Sequence, residues 1–412
     1  MRRKKKVWLS GFVEGVAATA ILGGLVCYAQ YGTLPLVGDS LTTGSSGKKL
    51  VQIEKIVENN YLEEYDEQTL EDSMYAGLLS GLDDPYSGYY SEELYTKLKE
   101  SSEGKYKGIG CVLQQDADTG EIMISQCYAG SPGEVAGLEP GDIIRQIGDQ
   151  AVAGMSVSEL ADSIKSDETG TVVLRVEREG EEDLLEITVT LDVVEIPAIY
   201  SRKLENSMGY IQIVEFTDLT SGQFETAYQE LLEQDIQGLM IDLRNNPGGL
   251  LTAVCDTLEQ ILPEGMIVYT EDKNGNRVEH TCKGETPIEI PLVVLTNEES
   301  ASAAEIFAGA VKDHEVGTLV GTTTFGKGIV QKIYPLSDGS AVKITVSKYY
   351  TPNGVNIHGT GIEPDVTEEW EQEDALLTPS QYNELPQEEW IEQDNQFAKG
   401  LEILSDLMEE KE

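Results

Sequence analysis

In LVQIEKIVENNYLEEYDEQTLEDSMYAGLLSGL (50–82) apolar residues recur at steps of three and four, which predicts two helices. DDPYSGYYSEELYTKL (83–98) predicts a turn followed by a further helix. The pattern then changes. GIGCVLQ (108–114) and EIMISQCYA (121–129) predict strands. SPGEVAGLEPGDIIRQIGDQAV (131–152) predicts a helix start, a turn at Gly137-Leu138-x-x-Gly141-Asp142 and a strand, and residues 156–180 predict helix, turn and strand. From Ser207 onward, strands at 209–216, 238–244 and 291–297 alternate with amphipathic helices at 221–234, 249–262 and 300–313. Such alternation predicts a layered α/β core. Residues 369–412 are acidic and helix-prone, with Trp370 and Trp390.

The N-terminus changes the picture of where the chain works. RRKKK (2–6) precedes the apolar run GFVEGVAATAILGGLVCYAQYGTLPLV (11–37), and a basic cluster before such a run keeps the N-terminus in the cytoplasm. From Gly15 onward about 20 mostly apolar residues suffice to span a bilayer. The expectation is a single-pass anchor in the cell membrane with the remainder of the chain extracytoplasmic. The alternative is secretion after signal cleavage near Ala29. GDSLTTGSSGK (38–48) predicts a polar linker. The net charge of −45 repels nucleic acid, which excludes it as a partner. Five cysteines and three histidines show no metal-site spacing, so no metal and no cofactor are expected. Cys111 and Cys127 fall in neighbouring predicted strands, where they can pair or remain thiols.

Two short segments carry candidate chemistry. NEESASAAEIFAGAVKDH (297–314) puts the Ser302 hydroxyl at a helix start, and GTTTFGKGIVQ (321–331) sets Lys327 between glycines with Gln331 four residues on. Together they read as a Ser–Lys hydrolase, in which an amine activates the serine. Ser302-x-x-Glu305 also reads as a capping box, in which the hydroxyl only caps the helix; Ser300 is a competing cap. Lys327 has small or apolar neighbours, and desolvation lowers an amine's pKa toward that of a usable base. Gln331 can orient the amine without adding charge. Arg244-Asn245-Asn246-Pro247-Gly248-Gly249 lies between a predicted strand and helix. It reads as a loop of outward backbone N–H groups, as a phosphate cradle or as a plain tight turn.

These segments, with Leu82-Asp83-Asp84-Pro85-Tyr86-Ser87 and GTGIEPDV (359–366), closely resemble the C-terminal processing peptidases, PDZ-containing serine proteases of peptidase family S41, subfamily A, with a Ser–Lys–Gln site. The resemblance covers most of residues 50–368. Departures are the second aspartate at 83–84, Glu299 and Ala304. It implies catalysis by Ser302, Lys327 and Gln331, and an oxyanion hole from the backbone N–H groups of Gly248 and Ala303. The 105–193 module follows the PDZ pattern, which implies peptide capture with Lys107-Gly108-Ile109-Gly110 as the carboxylate-binding loop. The expected architecture is a multidomain α/β protein. It has a basic tail and membrane segment (1–37), a linker and helical region (38–104), an inserted PDZ domain (105–193), a crotonase-like layered protease core (194–368) and an acidic helical tail (369–412). Such tails, by the same analogy, pack on the N-terminal helices or join a homodimer. Partners are then protein or peptide substrates with accessible C-termini, and the membrane through the anchor. A non-catalytic PDZ scaffold and a thioester acyl-transfer enzyme are the alternatives.

Overall fold

The computed structural model describes residues 44–166, 169–372, 376 and 385–411. The expected anchor at 1–37 lies outside them; among the described residues no helix is long and apolar enough to cross a membrane. The described residues fall into two compact units divided between Glu71 and Asp72. The first contains helix α1 (Gly44–Asn60), and the division falls within α2 (Glu67–Ser80). The expected linker therefore ends early: Gly44 to Gly47 form the first turn of α1, where backbone N–H groups lack helical partners and small polar residues are tolerated.

In the second unit a turn at 83–87 leads into β1 (Gly88–Tyr90) and then α3 (Glu92–Glu103), capped by Ser91 and closed by left-handed Gly104. The short strand was not visible in the sequence pattern, because its three residues are too few to show a period. β2 (Lys105–Gly108) follows, then β3 (Cys111–Gln115), β4 (Ile122–Cys127), α4 (Pro132–Ala136), β5 (Ile143–Ile147), β6 (Gln150–Ala151), α5 (Val157–Lys165), β7 (Thr171–Glu177), β8 (Leu185–Thr190) and β9 (Asp192–Glu195). Sheet order is β3-β4-β5-β7-β8, with β6 on β5, so β3 is an edge strand. Alternation along β7 buries Val172, Leu174 and Val176 in a separate small core. A disulfide joins the cross-strand pair Cys111 and Cys127.

The larger core has a six-stranded sheet in the order β10 (Ile199–Lys203), β11 (Met208–Ile213), β12 (Gly238–Asp242), β15 (Leu292–Thr296), β16 (Thr318–Gly321), β19 (Val366–Thr367). All pairs but β10–β11 are parallel. β11, β12 and β15 are buried at every position, as strands covered on both faces must be. One face packs on α6 (Thr220–Glu233), α7 (Leu251–Leu258) and α8 (Ala303–Asp313) through Phe224, Leu258 and Phe307. The other packs on α9 (Gln387–Gln393) and α10 (Asn395–Lys411) through Trp390, Phe397 and Leu404. The acidic tail thus closes the second face of the sheet. Its amphipathic helix buries there the apolar surface that the family analogy assigns to the N-terminal helices or to a second copy. A second, antiparallel sheet contains β13 (Gly265–Asp272), β14 (Arg277–Cys282), β17 (Ile329–Pro335), β18 (Ala341–Tyr350) and β1.

Candidate active site

Ligands of open parallel sheets gather beyond the C-terminal ends of the strands. Here the loops that leave β12, β15 and β16 meet at that edge. The first carries Asn245 to Gly249, the second Asn297 to Ser302, the third Thr322 to Gly328. They are stitched together. Asn245 N–H donates to Asn297 Oδ1 at 2.9 Å, and Asn297 Nδ2 donates to Asn245 Oδ1 at 2.7 Å. Ala301 N–H reaches Asn246 O at 2.9 Å, and Phe325 N–H reaches Ser300 O at 3.1 Å. Ser300 donates its hydroxyl to Leu243 O at 2.8 Å, so it braces the loops and does not cap the helix. Below them Arg244 is fully buried between Asp242 at 2.6 Å and Asp394 at 2.8 Å. Burial alone would lower the guanidinium pKa, but the two carboxylates hold it well above its usual value.

Ser302 has φ 55° and ψ −112°, an unusual conformation for a residue with a Cβ, which costs about 1–3 kcal/mol and is stored where surrounding contacts enforce it. Ser302 and Glu305 form a capping box at the start of α8. Its main-chain bonds are explicit: Ser302 N–H donates to Glu305 Oε2 at 2.9 Å and Glu305 N–H to Ser302 O at 3.0 Å. Glu305 is wholly buried, and its carboxylate also accepts Lys327 N–H at 2.8 Å, Gly326 N–H at 2.7 Å and the Thr324 hydroxyl at 2.7 Å. One carboxylate therefore fixes the backbones of both the serine and the lysine. The Ser302 carbonyl accepts from the buried Tyr349 hydroxyl at 3.0 Å. Burial, helped by the charge of Glu305, raises the Tyr349 pKa well above its usual value, so the phenol keeps its proton and stays a donor.

The Lys327 amine lies 4.8 Å from the centre of the Tyr86 ring. Its pKa is lowered, first by burial and then by the charge of Lys343, against an opposing pull from Glu305. Gln331 does not hold the amine as expected: its Nε2 donates to Thr345 Oγ1 at 3.3 Å. Lys327 precedes β17, which begins at Ile329, so strand alternation does not put the two side chains in line, and a register shift that leaves out Val346 of β18 sets Gln331 opposite Thr345. Thr345 N–H in turn meets Ser87 Oγ at 3.0 Å, and Ser87 donates to Asp84 at 2.6 Å. Burial opposes ionisation of Asp84, but hydrogen bonds from Ser87, Thr345 and Tyr86 and the nearby His358 keep its pKa below the usual value. The 84–87 turn thus supports both Gln331 and the lysine.

Gly248 has φ 103°, and a Cβ there would lie 2.6 Å from Ala301 O and 2.7 Å from Ser302 Cβ, so only glycine brings the loop this close to the serine. Its N–H is occupied, donating to Asn246 Oδ1 at 2.8 Å. Ala303 is the first residue of α8, where backbone N–H groups have no partner along the helix. Lys107 and Gly108 are not loop residues. They pair with Val193 and Asp192 in the β2–β9 ladder, leaving Ile109 and Gly110 as the turn before edge strand β3. Glu305 had a signal, its capping-box position; Tyr86 and Ser87 lay in a quoted motif; Tyr349 and Thr345 had none.

Residues 207–368 match the model of peptidase family S41, residues 123–178 that of a PDZ domain, and residues 37–94 that of the N-terminal domain of the activating protease CtpB. A carboxyl-terminal-processing protease of Synechocystis sp. is 37% identical over 292 residues, covering 70% of this chain and 68% of that protein. The carboxy-terminal processing protease CtpA of Bacillus subtilis is 33% identical over 371 residues, 90% of this chain and 78% of that one. Among solved structures, a putative S41 protease from Bacteroides fragilis aligns with TM-score 0.50 at 16% identity over 75% of this chain and 85% of that one, a likeness of fold alone. The chain belongs to peptidase family S41 and is a PDZ-containing serine protease of the carboxyl-terminal processing type.

Proposed function

We propose that Ser302 is the nucleophile and Lys327 its general base in a membrane-anchored, extracytoplasmic endopeptidase. Ser302 Oγ attacks the peptide carbonyl carbon while the Lys327 amine takes the hydroxyl proton. The tetrahedral oxyanion is held by the N–H groups of Ala303 and Gly248. As the C–N bond breaks, Lys327 returns the proton to the leaving amine, and water then hydrolyses the acyl-enzyme. Gln331 acts through Thr345 and the 84–87 turn as a positioning residue. The observation that carries this reading is the shared tether: the buried Glu305 carboxylate binds the backbones of Ser302 and Lys327 at 2.9 and 2.8 Å. A structural capping box has no need of a second loop bearing a partly desolvated amine.

In this reading the PDZ domain captures a substrate C-terminus along edge strand β3 and promotes activity. Gly248 must release Asn246 before it can serve an oxyanion. A connection supports coupling: Phe216 N–H donates to Gly248 O at 2.8 Å and Leu250 N–H to Phe216 O at 2.7 Å, while the neighbours Glu215 and Thr217 line the cavity beside β3. The test compares the full chain with its Ser302→Ala and Lys327→Ala forms on casein, with and without C-terminal peptides. Cleavage by the parent alone, with all three folded, supports the assignment; equal cleavage by all three would sink it.

A further inference from the structure

The cavity beside β3 has a volume of about 380 Å³, and its walls include parts of β2, β3 and α5, the end of α3, and Glu215 and Thr217 of the protease core. Four charged side chains line it: Lys97, Glu100, Lys165 and Glu215. Three are paired. Lys165 meets Glu100 at 2.7 Å and lies 5.2 Å from the centre of the Tyr106 ring. Lys97 meets Glu93 at 2.8 Å and Asp162 at 3.6 Å. Glu215 has no ion pair or side-chain hydrogen bond among the described residues, although it is half-buried. Its main-chain carbonyl accepts from the Thr220 hydroxyl at 2.8 Å.

A half-buried carboxylate without a partner is unfavourable, and a cation brought by the ligand would relieve it. Burial raises the pKa of Glu215. We infer that Glu215 is a specificity-determining residue: the peptide captured beside β3 is selected for a lysine or arginine near its C-terminus, whose charge pairs with this carboxylate. The inference rests on the capture of C-terminal peptides proposed above.

The long-range field of a chain with net charge −45 attracts any cationic peptide, so the local contribution must be isolated. Replacing one carboxylate leaves that field nearly unchanged. The experiment measures fluorescence anisotropy with the full chain carrying Ser302→Ala, so that the probes are not cut. The probes are labelled peptides with one common apolar C-terminal residue, identical but for a Lys, Ala or Glu moved position by position. At one position the Lys peptide should bind about five- to tenfold more tightly than the Ala peptide, between the values of an exposed and a desolvated ion pair. Glu215→Gln should bring that ratio to about twofold or less, the remainder due to the general field, and Glu215→Lys should invert it in favour of the Glu peptide. A lysine preference that survives both substitutions, or peptides that bind without discrimination, overturns the role of Glu215 and leaves capture standing. Failure of every peptide to bind overturns capture and this role together.

Discussion

Glu305→Gln removes one charge and almost no volume, and the bonds of Glu305 set the size of the effect. The carboxylate takes two donors on each oxygen: Thr324 and Gly326 on Oε1, Ser302 and Lys327 on Oε2. A glutamine can place its carbonyl on only one side. If the NH2 group replaces Oε2, two buried N–H groups lose their acceptor. If it replaces Oε1, Gly326 N–H loses its acceptor and the Thr324 hydroxyl must turn away. The second arrangement is the cheaper and costs about 1–3 kcal/mol, one stranded buried donor. That is a noticeable fraction of a total stability of about 5–15 kcal/mol, but the variant should fold. Catalysis should suffer more than stability, because a misplacement of about 1 Å can cost on the order of a hundredfold. The pH dependence discriminates further. Glu305 pulls the Lys327 pKa upward, so without its charge the amine should lose its proton at lower pH. The ascending limb of kcat/KM against pH should therefore move to lower pH while its plateau falls. Thermal melts and pH–rate profiles on one peptide substrate check both. An unchanged plateau with an unmoved limb, or a limb that moves upward, would refute the shared-tether argument.

Lys343→Met removes a positive neighbour that depresses the Lys327 pKa, so the same limb should move to higher pH with the melting temperature little changed. Tyr349→Phe removes the side-chain donor to the carbonyl of the strained Ser302, which keeps the N–H groups of Glu305 and Ile306; a loss of about 0.5–1.5 kcal/mol in stability should accompany a reduced kcat with a smaller change in KM, read by urea midpoint and steady-state kinetics. Arg244→Met strands Asp242 and Asp394 in the core and should cost about 3–5 kcal/mol, seen as a lower denaturation midpoint. Asn246→Ala removes the acceptor that holds Gly248 N–H, so the ratio of peptide-stimulated to basal casein cleavage should fall toward one; an unchanged ratio means that this bond does not restrain activity.

What was legible in the sequence was what lies close together along it. The helices and strands of the core announced themselves by period, and Ser302, Lys327 and the glycine loop sat in short segments of unusual composition. Interactions between distant residues were not legible. Glu305 looked like a cap because its local partner is three residues away, while Lys327 is 22 away and on another loop. Tyr349 is 47 residues from the serine whose carbonyl it holds, and Asp394 is 150 from Arg244. The carboxylate-binding loop was drawn too long for the same reason. Nothing near Lys107 indicates that it pairs with Val193. Register between strands that far apart is set by tertiary packing rather than local propensity.

The site divides into a fixed part and a movable part, and the energetics of each suit regulation at the second. Ser302 and Lys327 are locked through a wholly buried carboxylate with all its bonds made, so displacing them would strand donors at about 1–3 kcal/mol each. Gly248 is different. Freeing its N–H from Asn246 exchanges one hydrogen bond for another once an oxyanion is present, a net change of about 0.5–1.5 kcal/mol. A peptide held with micromolar affinity has about 8 kcal/mol of binding energy. Only the part that differs between the two loop arrangements can shift them. That part has a physical route, because Phe216, bonded to Gly248 and Leu250 on either side of Gly249, lies between two residues that line the cavity proposed for the peptide. Control by a captured C-terminus would therefore act on the oxyanion loop and leave the nucleophile and base in place.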